Sequence, residues 1–197
     1  MIADPVALET SLLRLEPLTP AHYEELRSVG DDDELWAKVV VANPFKQDDT
    51  ARAWFAATTA PDRLAFVMVD QTSGRIVGTT QLYDIDLQHK KLEIGKTFLA
   101  RAWWGSPANA TSKYLLLRHA FEHLEIHRVQ LRVGTPNERS RRAIERLGAT
   151  YEATMRSFFR HSVTAEPRDV MYFSIIAPEW PAVKARLEER LGAFRTA

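Results

Sequence analysis

Residues 103–113, WWGSPANATSK, set two tryptophans, a glycine, a proline and small polar residues directly before the apolar helix LLLRHAFEHL. The first backbone N–H groups of a helix have no internal partner, and the helix dipole adds roughly half a positive charge there. A diphosphate is a natural occupant of such a place. Gly105 lets the chain turn out of a preceding strand, and the small side chains of Ser106, Ala108, Asn109 and Ala110 let an anion approach the backbone. The same composition suits a polar, capped loop that binds nothing, and the residues alone leave both readings open. The stretch is neither G-x-G-x-x-G nor G-x-x-x-x-G-K-[ST], which makes dinucleotide and ordinary P-loop readings weak.

Other chemistries are narrowed by what the chain contains. It has no cysteine, which removes disulfides, thiolate zinc sites and a cysteine nucleophile. His119 and His123 are four apart on a helix, a spacing that can hold zinc, but the H-E-x-x-H glutamate is absent and no further ligand is evident; no metal is expected. The 26 basic and 26 acidic side chains balance to a formal net charge of zero, which argues against a nucleic-acid partner. No apolar run approaches the ~20 residues that cross a bilayer, and MIADPVALET lacks the basic head and apolar core of a secretory signal. A cytoplasmic address without membrane association is the expectation.

The elements that must position these residues follow from periodicity. SLLRLEPL (11–18) reads as a strand, and TPAHYEELRSV as a helix opened by Thr19 and Pro20. DDDE (31–34) opens a helical stretch carrying Leu35, Trp36 and Val39, and a third helix covers about 47–58. LAFVMVD (64–70) and RIVGTTQLYDIDL (75–87) are strands joined by a turn. In KLEIGKTFL (91–99), alternation puts Leu92, Ile94 and Phe98 on one face and Glu93, Gly95 and Thr97 on the other. Tyr114, Leu117, Phe121 and Leu124 give the long helix an inward face, and HRVQLRV (127–133) follows as a strand parallel to 91–99. Residues 137–148 form a helix between Asn137 as cap and Gly148 as stop; strands at about 150–161 and 168–176 and a helix at 178–191 end the chain. No repeat or linker interrupts residues 1–197, so one mixed α/β domain is expected.

The order EIG (93–95), WWGSPANATSK, LLLRHAFEHL, HRVQLRV and NERSRRAIERLGA (137–149) resembles the GNAT N-acetyltransferase superfamily. More narrowly it is similar to the branch containing the ribosomal-protein N-terminal acetyltransferases RimJ and RimL. LRLEPLTPAHYEEL and RDVMYFSIIAPEW extend the likeness to nearly the whole chain. The resemblance implies a mixed sheet whose two central parallel strands splay apart between flanking helices. Acetyl-CoA would enter that gap with its diphosphate on the loop before the long helix. The family commonly shows W-G-x-G-x-A-T-E-A there. Trp104 and Gly105 match, whereas Pro107, Asn109 and Thr111 replace the second glycine, the alanine and the acidic residue. Proline has no N–H, so Ser106, Ala108, Asn109 and Ala110 must supply the donors.

The implied reaction is attack of a neutral amine on the thioester by direct transfer. The resemblance makes Glu93 the candidate base, acting directly or through water, with the strand through Phe98 and Leu99 lining the coenzyme. It assigns Asn137 to the pantetheine arm, Ser140 to a hydrogen bond with the departing thiolate, and Arg142 to the phosphates. The acceptor would be a protein or peptide α-amine. The alternatives are a small amine such as a polyamine, amino acid or antibiotic, for which DDDE could furnish an acidic pocket, and a noncatalytic acyl-CoA-binding module. Trp103 reads as a plug of the sheet, and Trp36 and Trp54 as core. The sequence leaves the oligomeric state open, a homodimer being admissible.

Overall fold

Leu13 and Leu15, Leu92 and Ile94, and Val129, Leu131 and Val133 alternate along their strands and give the sheet an apolar face that must be covered by helices. The computed structural model describes residues 6–195. Eight strands form one sheet: β1 (Leu8–Glu9), β2 (Leu13–Pro17), β3 (Leu64–Asp70), β4 (Ile76–Asp86), β5 (Lys91–Leu99), β6 (Arg128–Gly134), β7 (Thr150–Arg160) and β8 (Pro167–Ile176). Their spatial order is β1-β2-β3-β4-β5-β6-β8-β7, and every neighbouring pair is antiparallel except β5 and β6.

Six helices cover the sheet: α1 (Tyr23–Gly30), α2 (Asp33–Trp36), α3 (Asp48–Thr58), α4 (Ala108–Arg118), α5 (Glu138–Leu147) and α6 (Trp180–Arg195). On one face Leu13, Leu15, Phe66, Leu92, Ile94 and Phe173 pack against α4, Ile144 and Leu147 of α5, and Trp180, Val183 and Leu187 of α6. On the other, Val67, Val69 and Ile76 meet Leu26 of α1, while Tyr23, Phe45 and Ala51 form an adjoining cluster. Among the described residues no helix is long and apolar enough to cross a membrane.

The expected strands and helices are present, with several local differences. The two-residue β1 precedes the expected first strand. Pro20–His22 form a 3-10 turn ahead of α1, and α2 stops at Trp36, so Val39 lies beyond it in a turn. The helix α4 is buried nearly all round rather than along one stripe, with Leu115, Leu116 and Leu117 all at 0% exposure. It runs into a π turn at His119–His123, which shifts the register, and Phe121 and Leu124 are only partly buried.

A further difference is in β5. Thr79 pairs with Phe98 but Gln81 with Gly95, so one residue more is spent on β5 than on β4, a bulge at Lys96–Thr97. Lys96 takes φ 46°. The bulge turns Phe98 away from Leu92 and Ile94 and into contact with Trp36, Phe45 and Trp54, while Thr97 turns toward α4. The simple alternation read from the sequence fails at that point.

Candidate active site

β5 and β6 pair through only three residues of each, Lys91–Glu93 with Arg128–Gln130, although both strands continue well past them. Beyond Glu93 and Gln130 the strands separate. A cleft of about 480 Å³ opens between them, lined by Ile94–Leu99 of β5, Leu131–Gly134 of β6, and residues of α4 and α5. Strand edges in such a gap carry amides and carbonyls with no strand partner, ready for an extended polar ligand.

One mouth of the cleft lies at the start of α4. Gly105, at φ 80°, turns the chain out of the loop, and Trp104 anchors it by donating its indole N–H to the Leu99 carbonyl at 3.0 Å. The Ser106 amide donates to the Trp103 carbonyl, and the Ala108 amide donates to Ser106 Oγ at 3.2 Å. Ala108 is itself fully buried outside the cleft lining, so these two residues shape the loop instead of offering free amides. The amides of Gly105, Asn109 and Ala110 have no hydrogen-bond acceptor among the described residues, and all three residues line the cleft. Three free donors thus remain where the helix dipole is positive.

The helix α5 closes the opposite wall. Asn137 Oδ1 accepts the Ser140 amide at 3.1 Å and caps the helix, and Gly148 ends it at φ 89°. Asn137 and Ser140 both line the cleft, and the Ser140 hydroxyl makes no hydrogen bond to another of the described residues. Arg142 pairs with Glu138 at 2.9 Å on the solvent side and is not among the lining residues. Arg139 is: its guanidinium sits 3.3 Å from the centroid of Trp104, against the loop.

Glu93 occupies the fork itself. It is 1% exposed, on the face opposite Leu92 and Ile94, and it does not line the cleft. Its carboxylate accepts from the Tyr83 hydroxyl, from Gln130 Nε2 at 2.9 Å and from Arg132 Nε at 2.8 Å. Burial lifts its pKa above the ordinary carboxylate value against the pull of those three donors. Burial and the adjacent carboxylate likewise raise the Tyr83 phenol. The Tyr83 hydroxyl overhangs Gly95, where an added Cβ would lie 2.8 Å from it, and Gly95 lines the cleft. Arg132 is enclosed by the rings of Tyr83, Phe158, Phe159 and Tyr172, each centroid within 6.0 Å.

Lys113, one turn into α4, reaches the sheet with its ammonium group held by Thr97 Oγ1 at 2.6 Å and Thr80 Oγ1 at 3.1 Å. No carboxylate of the described residues joins it, and burial pushes its pKa down to about 7. The far mouth is roofed by residues 37–40. That segment is pinned to the β7–β8 hairpin where the Ser162 amide donates to the Val40 carbonyl at 2.8 Å and the Ala42 amide donates to Ser162 Oγ at 3.0 Å. His119 and His123 stack at 5.6 Å away from the cleft lining. Trp103 is partly buried against the core and also lines the cleft; Trp36 and Trp54 pack with Phe45 and Phe98.

Sequence reasoning missed Tyr83, Lys96, Gln130, Arg132, Lys113 and Arg139. For Gln130 and Arg132 a signal existed, because they alternate with Val129, Leu131 and Val133 and must face the side that Glu93 faces. The others depend on the bulge and on long-range packing.

Residues 13–150 match the family model described as an acetyltransferase (GNAT) domain. Among relatives, the chain is 31% identical over 111 residues to YdaF of Bacillus subtilis (strain 168), named as a candidate ribosomal N-acetyltransferase. That match spans 56% of this chain and 59% of YdaF. Among solved structures, a candidate acetyltransferase from T. thermophilus superposes with TM-score 0.86 at 39% identity, over 97% of this chain and 100% of that one. A GCN5-related N-acetyltransferase from Brucella melitensis gives 0.87 at 26% identity, over 95% and 86%.

Proposed function

This chain belongs to the GNAT acetyltransferase family, and from that premise we propose that it transfers an acetyl group from acetyl-CoA to a primary amine, directly and within a ternary complex. The acceptor in this reading is the α-amine of a protein or peptide. The observation that carries it is the divergence of β5 from β6 beyond Glu93 and Gln130, at a gap facing three unpaired amides of the α4 N-terminus.

The free amides of Gly105, Asn109 and Ala110 hold the diphosphate, with Arg139 adding charge from α5. Trp104 keeps the loop in place, Ser106 and Ala108 set its shape, and Asn137 faces the pantetheine arm. The open edge of β5 through Phe98 and Leu99 pairs with that arm's amides. Arg142 belongs to the solvent face, so its share in phosphate binding is limited to long-range charge.

Transfer then needs orientation, a route for the amine's proton and a partner for the leaving sulfur. Holding two reactants in one cleft is worth about 7–11 kcal/mol when the geometry is correct. An α-amine, with a pKa near ~7.7–8.0, is partly neutral at pH 7, so a weak base suffices. Glu93 serves as that base at one remove. The Tyr83 hydroxyl gives its proton to Glu93 as it takes one from the amine or an intervening water. Arg132 and Gln130 hold the carboxylate in place. Ser140 Oγ donates a hydrogen bond to the departing thiolate.

The test is a thiol-release assay over a panel of amines, paired with calorimetry of coenzyme binding. Turnover on peptide α-amines supports the reading. Coenzyme binding without turnover on any amine would instead indicate a noncatalytic acyl-CoA-binding module.

A further inference from the structure

Eight residues lining the cleft are lysine or arginine and none of the described lining residues is acidic, in a chain whose charges balance overall. They divide between the two faces of the sheet. Lys113, Arg139, Arg146 and Arg190 come from α4, α5 and α6, the side on which the phosphates of a coenzyme are expected. Lys38, Lys96, Arg132 and Arg168 come from the roofing segment, the β5 bulge, β6 and β8. His161 joins this second group, its Nδ1 accepting the Val163 and Thr164 amides.

The second group surrounds the mouth left for the acceptor, and its charges are unequally committed. Arg132 is bound to Glu93, and Arg168 pairs with Glu166 at 2.8 Å. Lys38 and Lys96 have no carboxylate within ion-pair distance among the described residues. The acids nearest Lys96 pair elsewhere while still acting on it from a distance, Asp62 with Arg63 at 2.7 Å and Asp84 with Arg132 at 3.6 Å, and burial lowers the Lys96 pKa. The bulge holds Lys96 in a left-handed conformation that a non-glycine residue rarely adopts, with its ammonium 5.0 Å from the Tyr83 ring centroid. Backbone geometry that is costly elsewhere therefore places a lysine without an ion-pair contact among the described residues beside the Glu93–Tyr83 pair.

DDDE does not offset this charge. Lys46 binds Asp31 at 3.1 Å and Asp33 at 3.3 Å, Arg101 binds Asp32 at 3.1 Å, Glu34 acts on Arg139 of the coenzyme side, and none of the four acids lines the cleft. The acidic pocket that a polyamine would need is absent from the described cleft lining.

We infer that the acceptor is an amine bearing an anionic group, a carboxylate or phosphate a few bonds from the nucleophilic nitrogen, with Lys96 and Lys38 receiving that group. This rests on the acetyltransferase reading and narrows its substrate class. Like-charge repulsion turns away polyamines, and the anion's placement aims the amine at the fork.

The experiment compares kcat/KM for the tripeptide amides Ser-Glu-Gly, Ser-Gln-Gly and Ser-Lys-Gly, with free glutamate, phosphoserine amide and spermidine as further arms. The expected result is a preference of tenfold or more for the Glu peptide over the Gln peptide, with the Lys peptide and spermidine poorest. The free-acid arms tell whether a small molecule or a peptide carries the anion. Lys96→Met and, separately, Lys38→Gln shrink the Glu-to-Gln ratio toward one, and Lys96→Arg restores it. Equal or better use of neutral or cationic acceptors overturns the inference while leaving the acetyltransferase reading intact. Coenzyme binding with no turnover on any arm overturns both.

Discussion

Gln130 Nε2 donates to Glu93 Oε2 at 2.9 Å, and this bond joins the last residue pair through which β5 and β6 run side by side. The fork of the sheet and the buried carboxylate are therefore one structure. Removing the Glu93 charge would leave the largely buried Arg132 without its close partner, which typically costs about 3–5 kcal/mol. The proton route is better probed at Tyr83. Tyr83→Phe should lower kcat by about tenfold to a hundredfold with little change in KM, as loss of a proton-transfer group does.

The same cluster sets a pH dependence. Glu93 receives protons only when ionised, and burial raises its pKa. Acetylation should fall as pH drops through that raised value, so the acid limb of the kcat profile lies above the ordinary carboxylate range near ~4.3. A limb at or below that value would detach Glu93 from the rate.

Asn109→Asp separates the diphosphate site from the helix that carries it. A carboxylate in the first turn of α4 favours the helix dipole by about 0.3–1 kcal/mol. The same charge repels a diphosphate. The melting temperature should hold or rise slightly while coenzyme affinity falls at least about tenfold, or 1.4 kcal/mol. Stability and affinity falling together would point to simple loss of structure.

Ser140→Ala keeps the Asn137 cap, because the bond there comes from the Ser140 backbone amide. It should slow transfer by about tenfold or more and leave coenzyme affinity nearly unchanged, as read by kinetics and calorimetry. Equal loss of both would place the hydroxyl in binding alone.

Lys113 gives a stability test independent of turnover. Its folded-state pKa, about 7, lies below the unfolded value of ~10.4, so the unfolded chain binds more protons between those limits. Its penalty on folding is full below pH 7 and fades as pH rises toward 10. Lys113→Met should stabilise the protein most at or below neutrality. The gain should shrink by up to about 1.4 kcal/mol per pH unit in denaturant titrations between pH 7 and 10.

Much of this arrangement is legible in the sequence. Apolar alternation places the strands, Asn137 and Gly148 bound α5, and the motif order points to a splayed parallel pair. The bulge at Lys96 is not, because it arises from unequal pairing with β4 and leaves no mark in the local pattern; alternation alone therefore puts Phe98 on the wrong face. Arg142 and Arg139 look alike on a helix rich in arginine, and only the contact with Trp104 distinguishes them. Spacing does not tell that the Ser106 hydroxyl takes the Ala108 amide, or that Lys46 and Arg101 pair with the three aspartates of DDDE.

The most direct test is a crystal structure of the protein with acetyl-CoA. The diphosphate oxygens should lie about 3 Å from the amide nitrogens of Asn109 and Ala110, with the thioester between β5 and β6 beside Gly95. A diphosphate bound elsewhere, with those amides facing water, would contradict the proposed function.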